Sequence, residues 1–177
     1  INSLRAALKN LTGLDNSLTG KFARFRVREH VYLIPFNDKA APPTLVTVKS
    51  GDKGSESMEF IRKFVDNLRA DGGTAIYATL IKAYQFALEK MEQDPDRFYS
   101  IVLLSDGENK HDITYEMFEE FYRSLPPLAK NVKTFTILFG NANKEEMNKV
   151  ATLTGGRVFD GQSKSLVRVF KKIRGYQ

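Results

Sequence analysis

One stretch limits the fold of this chain more than any other: YSIVLLS (99–105), a continuous apolar run of strand length. A strand with one wet face alternates apolar and polar residues. A run with no polar face needs cover on both sides, as parallel strands layered between helices have. The residues around it follow the same pattern. HVYLIPF (30–36), TLVTV (44–48), VKTFTILF (132–139) and RVFD (157–160) read as further strands. Pro35 must sit near a strand end or bulge because it cannot donate to a ladder, and Pro42-Pro43 make 44–48 a short edge strand.

Helix-length segments separate these runs. Leu4, Leu8 and Leu11 share one face of a helix over 1–11, ended by Gly13. Met58, Ile61, Phe64, Val65 and Leu68 line a second helix, after a Gly- and Ser-rich loop at 50–57. Ile76, Leu80, Ala83, Ala87 and Met91 line a third, with Tyr77, Ile81, Tyr84 and Leu88 widening its apolar face. Helices over 115–124, 143–153 and 163–174 follow. Pro126-Pro127 break the first of these, Asn143 and Glu146 cap the start of the second, and Gly155-Gly156 close it. Strands separated by helices in this order imply the α/β class with a mainly parallel sheet, in a single domain spanning 1–177.

Composition excludes several classes of chemistry. The chain has no cysteine, which removes disulfides, thiolate zinc sites and thiol catalysis. A hydrophobic fraction of 42% with 13 phenylalanines argues against disorder. No apolar run approaches the roughly 18 residues of a membrane span. Ser105 lies in LLSDG, not in a Gly-x-Ser-x-Gly elbow, and no histidine is placed to activate it. His30 and His111 lack ligand-spaced companions and read as ordinary surface or strand-edge residues. Neither a Walker loop nor a dinucleotide fingerprint is present, so no enzyme activity is expected. The acidic turn EQDPD (92–96) lacks calcium-loop spacing, and Asn10-Leu11-Thr12 has the form of a glycosylation sequon. The net charge of +6 favours acidic partners weakly. KFARFRVRE (21–29) interleaves rings and basic groups in a way that suits nucleic acid, but it reads more simply as a solvated connector.

Two stretches carry the chemistry. In DGGTAIYATL (71–80) a glycine-lined turn delivers Thr74 to the start of a helix, and in 99–109 a buried strand runs into Ser105, Asp106 and Gly107. In an open parallel sheet, ligands bind beyond the carboxyl ends of the strands, which is where Asp106 sits. As isolated residues, Thr74 reads as a helix cap and Asp106 as a turn former. As a pair they offer the oxygen ligands that Mg2+ or Mn2+ prefers.

The GGT turn, the strand ending in SDG, the later TFTILFG and the closing GGRVFD together resemble a von Willebrand factor type A domain over nearly the whole chain. The resemblance implies a doubly wound, Rossmann-like sheet with helices on both faces and a short antiparallel edge strand. It also implies a protein-interaction module with a metal-ion-dependent adhesion site. The family's site combines a DxSxS loop, a threonine and an aspartate. Thr74 and Asp106 match the last two as metal ligands, with Ser105 as a supporting hydroxyl. The implied partner is a protein offering an acidic side chain to a bound Mg2+ or Mn2+.

The family's first strand and DxSxS loop are expected just before the helix opening at Ile1, so the domain reads as N-terminally incomplete. In the resembling fold that strand lies between those at 30–36 and 99–105, and either an upstream segment fills the slot or the two strands pair directly. DNSLT (15–19) fits the letters of the loop, but no apolar strand precedes it and it reads as connector. This chain alone is therefore expected to bind Mg2+ or Mn2+ weakly or not at all. A metal-free scaffold module and a nucleic-acid-binding relative using 21–28 are the rival readings. The style of ALKNLTG, GKFARFR and LIPF also resembles bacterial envelope proteins, which favours a cell-envelope or extracytoplasmic setting.

Overall fold

Each apolar run becomes a strand in the computed structural model, which describes residues 2–9, 12, 26–50, 52–69, 72–105, 108–110, 113–139, 143–161, 169–170 and 172–173. In chain order the elements are α1 (Asn2–Lys9), β1 (His30–Leu33), β2 (Thr44–Thr47), α2 (Asp52–Asn67), α3 (Ile76–Gln93), β3 (Ser100–Ser105), α4 (Tyr115–Ser124), β4 (Lys133–Leu138), α5 (Lys144–Leu153) and β5 (Arg157–Asp160). A 3-10 turn over Ala129–Asn131 precedes β4. The strands form two sheets, an antiparallel pair β1-β2 and a parallel sheet ordered β3-β4-β5. This is the expected α/β architecture, parallel sheet and short antiparallel pair included.

The chain packs as two units. One holds the described residues of 1–35, 41–70 and 161–176. Here β1 and β2 pair from His30↔Thr47 to Leu33↔Thr44, and β1 stops short of Pro35, as a residue without an N–H requires. Val46 is buried while Leu45 points to solvent, the alternation expected of an edge strand. Val46, Ile61 and Val65 form a small core against which Leu8, Val31, Leu33 and Met58 pack. Arg62 clamps Thr12, donating Nε to its hydroxyl at 2.7 Å and Nη2 to its carbonyl at 2.8 Å.

The expected loop at 50–57 is corrected: α2 already begins at Asp52 and takes in Gly54, Ser55 and Ser57. Ser57 is buried, and its hydroxyl donates to the Thr47 carbonyl at 3.1 Å, so a poor helix former is held by a tertiary bond. Asp52 in the first turn complements the helix dipole.

The other unit holds the described residues of 36–40 and 71–160 and carries the parallel sheet. β4 is buried at every position from Thr134 to Leu138, so both its faces are covered, as a parallel strand requires. The register runs Ser100↔Lys133 to Ser105↔Leu138 on one side and Phe135↔Arg157 to Leu138↔Asp160 on the other. Ile76, Tyr77, Leu80, Tyr84 and Met91 of α3 join Leu103, Phe118, Tyr122, Met147 and Val150 in the main core. Tyr84 can be buried because its hydroxyl is satisfied: it donates to the Val132 carbonyl at 2.9 Å and shares a 2.7 Å bond with Thr134 Oγ1.

The end of α5 shows why the glycine pair was legible. Gly155 adopts φ 67°, and its N–H reaches the Thr152 carbonyl at 3.3 Å while that of Gly156 reaches Ala151 at 2.8 Å. This pair of bonds is the Schellman closure. Gly156 also lies flat against β4, where a Cβ would overlap the Thr134 carbonyl. Of the expected final helix, only 169–170 and 172–173 are described, with Val169 and Ile173 buried.

Two outcomes follow from this packing. Gly156→Ala should destabilise the protein by about 2–3 kcal/mol, since the obstacle is backbone, and Gly155→Ala by about 1 kcal/mol, from φ strain alone; urea unfolding of the pair measures both. Burial raises the Tyr84 phenol above its ordinary range, with the Thr134 bond a smaller opposing effect. The folded state then keeps this proton where the unfolded chain loses it. Its contribution is intact below about pH 10 and declines as pH rises further. Urea midpoints from pH 8 to 11 should fall less steeply for Tyr84→Phe than for the native chain.

Candidate functional site

The start of α3 is the centre of the site. The turn before it needs glycine: Gly72 sits at φ 77°, and a Cβ on Gly72 or Gly73 would run into the Asp38 carboxylate. Asp38 Oδ1 accepts from the Gly73 N–H at 2.7 Å, and the Asn37 carbonyl accepts from Ala75 N–H at 2.7 Å. From the other side, Lys110 N–H donates to the Thr74 carbonyl at 2.9 Å. The GGT turn is thus held between the 36–40 segment and Lys110, which follows β3.

Thr74 is not the cap of α3, which corrects the isolated-residue reading. The N-cap position is Ala75, which has no side chain to offer. Asn109 supplies the acceptor instead, its Oδ1 taking the Ile76 N–H at 3.0 Å and lying 3.5 Å from the Tyr77 nitrogen. Its Nδ2 donates to the Ile113 carbonyl at 2.9 Å, which fixes the amide orientation. Freed from capping, the half-buried Thr74 makes no side-chain hydrogen bond among the described residues. A hydroxyl in that state remains available as a neutral oxygen ligand.

Ser105 ends β3 buried, and its carbonyl accepts from Phe139 N–H at 3.0 Å. Asp106, like Gly107, lies outside the described residues, as do His111 and the DNSLT stretch at 15–19. So do residues 21–25 of the basic segment; Arg26 and Arg28 are described and exposed. The two motifs themselves are brought together, since Asn109 and Lys110, just past SDG, bond directly to the GGT turn and the first turn of α3. Among the described residues, no cluster of three or more His, Asp or Glu side chains could hold a metal ion by itself.

Sequence reasoning missed Asp38 and Asn109. The Gly-Gly pair signalled a close approach but not by what. Asn109 acts on a helix 33 residues earlier, which no local pattern reveals. The other caps were legible because they are local: Asn143 Oδ1 accepts from Glu146 N–H at 3.1 Å, as expected. Glu146 does not reach back, because its carboxylate takes the Tyr77 hydroxyl instead. Burial first, and Glu146 second, push the Tyr77 phenol far above its usual range.

Beside this bond a shallow cleft of about 420 Å³ opens, lined among others by Asn109, Glu116, Glu145, Glu146 and Lys149. Three carboxylates against one ammonium make it a poor seat for an acidic group. Lys149 is also engaged, its Nζ 5.8 Å from the Tyr115 ring centroid. The uncharged Thr74 hydroxyl presents no such repulsion.

The model of the von Willebrand factor type A domain matches residues 3–172. Among solved structures the chain is similar to a von Willebrand factor type A protein from Catenulispora acidiphila, with a TM-score of 0.66 and 17% identity. That likeness covers 97% of this chain and 36% of the other, so this chain spans little more than a third of its length. No curated protein matches.

The capping geometry predicts an asymmetry. Asn109→Ala should cost about 1–2 kcal/mol in urea unfolding, because it removes the α3 cap. Thr74→Ala should stay within about 0.5 kcal/mol. A larger loss for Thr74→Ala than for Asn109→Ala would reverse the assignment.

Proposed function

We propose that this chain, which belongs to the von Willebrand factor type A family, binds a protein ligand through a divalent cation held in part by Thr74 and Asp106. Domains of this family are generally protein-interaction modules, and the metal-dependent mode is our reading for this one. The observation that carries it is the joining of the two motifs: Lys110 bonds to the GGT turn and Asn109 to the first turn of α3. That join leaves the Thr74 hydroxyl uncommitted among the described residues, with Lys110 bonded to its carbonyl.

The residues suit a hard cation. Thr74 offers a neutral oxygen, which leaves the ion electron-poor, and Asp106 offers charge, acting through water in the family's arrangement. Ser105 can steady the strand end from which Asp106 departs. A bound Mg2+ or Mn2+ would supply an open position for a partner carboxylate. The role is recognition without turnover. Neutral and water-mediated ligands alone hold Mg2+ poorly, because it dehydrates reluctantly and favours near-octahedral sites, so further fixed oxygens are needed for tight binding.

Calorimetric titration of Mn2+ tests the reading on two proteins, the chain as it stands and the chain preceded by a strand ending in DxSxS. Weak or no binding is expected for the first. Binding is expected for the second, falling at least about tenfold, or 1.4 kcal/mol, in Thr74→Ala and in Asp106→Asn. Tight binding by the chain alone, or none by the extended one, would overturn the proposal. The second result would leave a metal-free scaffold as the reading.

A further inference from the structure

A hydroxyl can serve a cation only if it is held still, and the residues before Thr74 make that difficult. Gly72 and Gly73 are the residue type that loses most freedom on ordering, so the turn has no stiffness of its own. Among the described residues, three ties order it. Two are backbone to backbone, Ala75 to Asn37 and Lys110 to Thr74. The third is the Asp38 carboxylate on the Gly73 N–H, the residue directly before Thr74. It is the side-chain tie to this turn among the described residues.

Asp38 is itself well placed to act as a fixed point. Phe36 and Ala40 form an isolated antiparallel bridge, and Asn37 N–H donates to the Lys39 carbonyl at 3.3 Å, so 36–40 is a closed turn with Asp38 at its tip. Phe36 roots that turn against the main core. The glycines complete the arrangement, since a Cβ on either would occupy the space of the carboxylate.

We propose that Asp38 is a positioning residue: by holding the Gly72–Gly73 turn from a rooted loop, it sets where the Thr74 hydroxyl stands. The role rests on the reading of Thr74 as a cation ligand. Asp38 acts through the turn, and its Oδ1 is already committed to Gly73. Asparagine keeps an oxygen at that place and should keep the function, whereas alanine should not. Gly73→Ala should imitate the loss of Asp38, because the new methyl takes the place of the carboxylate.

The test uses the metal-free chain, so it is decided independently of the titration above. Amide hydrogen exchange at Gly73 and the χ1 couplings of Thr74 are measured by NMR in the native chain, Asp38→Ala, Asp38→Asn and Gly73→Ala, with the melting temperature alongside. In Asp38→Ala, exchange at Gly73 should speed up about tenfold or more, and the Thr74 couplings should move toward rotamer averaging. Gly73→Ala should change both in the same direction. Asp38→Asn should retain native couplings and stay within about threefold in exchange. The melting temperature should hold nearly constant in the Asp38 variants.

Unchanged exchange and couplings in Asp38→Ala would overturn the proposal. A fall in melting temperature with faster exchange throughout α3 would also overturn it, by making Asp38 merely structural. Failure of Mn2+ to bind in the earlier titration would remove the cation and leave the order of the turn standing. Failure here would leave cation binding untouched.

Discussion

The burial of β4 from Thr134 to Leu138 is the constraint on which the parallel unit depends. Five consecutive buried residues demand cover on both faces of the sheet. The α3 face of that cover is closed by aromatic packing, with Tyr77 stacked on Phe118 at 5.9 Å and Tyr84 edge-on to Tyr122 at 5.4 Å. The cover also has to absorb polar atoms. Tyr84 does so by bonding the Val132 carbonyl and Thr134 together, and Thr154 does so by accepting the Thr134 N–H at 3.3 Å. Thr136 differs, a buried hydroxyl with no hydrogen-bond partner among the described residues. Apolar packing around it has to outweigh the desolvation of one hydroxyl.

Seating α3 against this sheet has a consequence for function. α3 leads through a short turn into β3, so its start lies at the end where β3 finishes. Its first N–H groups therefore meet the loop that leaves β3, and they would be unsatisfied without Asn109. Asn109 thus caps the helix, and the backbone N–H of its neighbour Lys110 ties the GGT turn to the segment that follows β3. Capping by Asn109 in place of Thr74 leaves the threonine hydroxyl uncommitted. The functional reading grows out of that substitution of one acceptor for another. A threonine spent on its own helix would have little to offer a cation.

The element pattern was legible because it is local. YSIVLLS could not be solvated on either face, Pro35 could not continue a ladder, and Gly155-Gly156 could close a helix where other residues would strain. Asn143 was readable as a cap for the same reason, its partner lying three residues away. The reading failed at 50–57, where glycine and serine suggested a loop. Local propensity there is overridden by Ser57 reaching Thr47 and by Ile61 and Val65 seating the same helix face in a core. It failed again at Thr74, where a rule about neighbours assigned a cap that a distant residue provides.

By itself the sequence determined the α/β class, the order of strands and helices, and the pair of motifs at the ends of two elements. Periodicity and chain breakers act within a few residues, so they survive without tertiary information. Only the tertiary structure decided which groups surround Thr74. Asp38 lies 35 residues before the glycine it holds, and Asn109 lies 33 after Ile76, the first residue of the helix it caps. Hydrogen bonds of that range depend on how the sheet and helices pack, and no spacing rule in the chain encodes them.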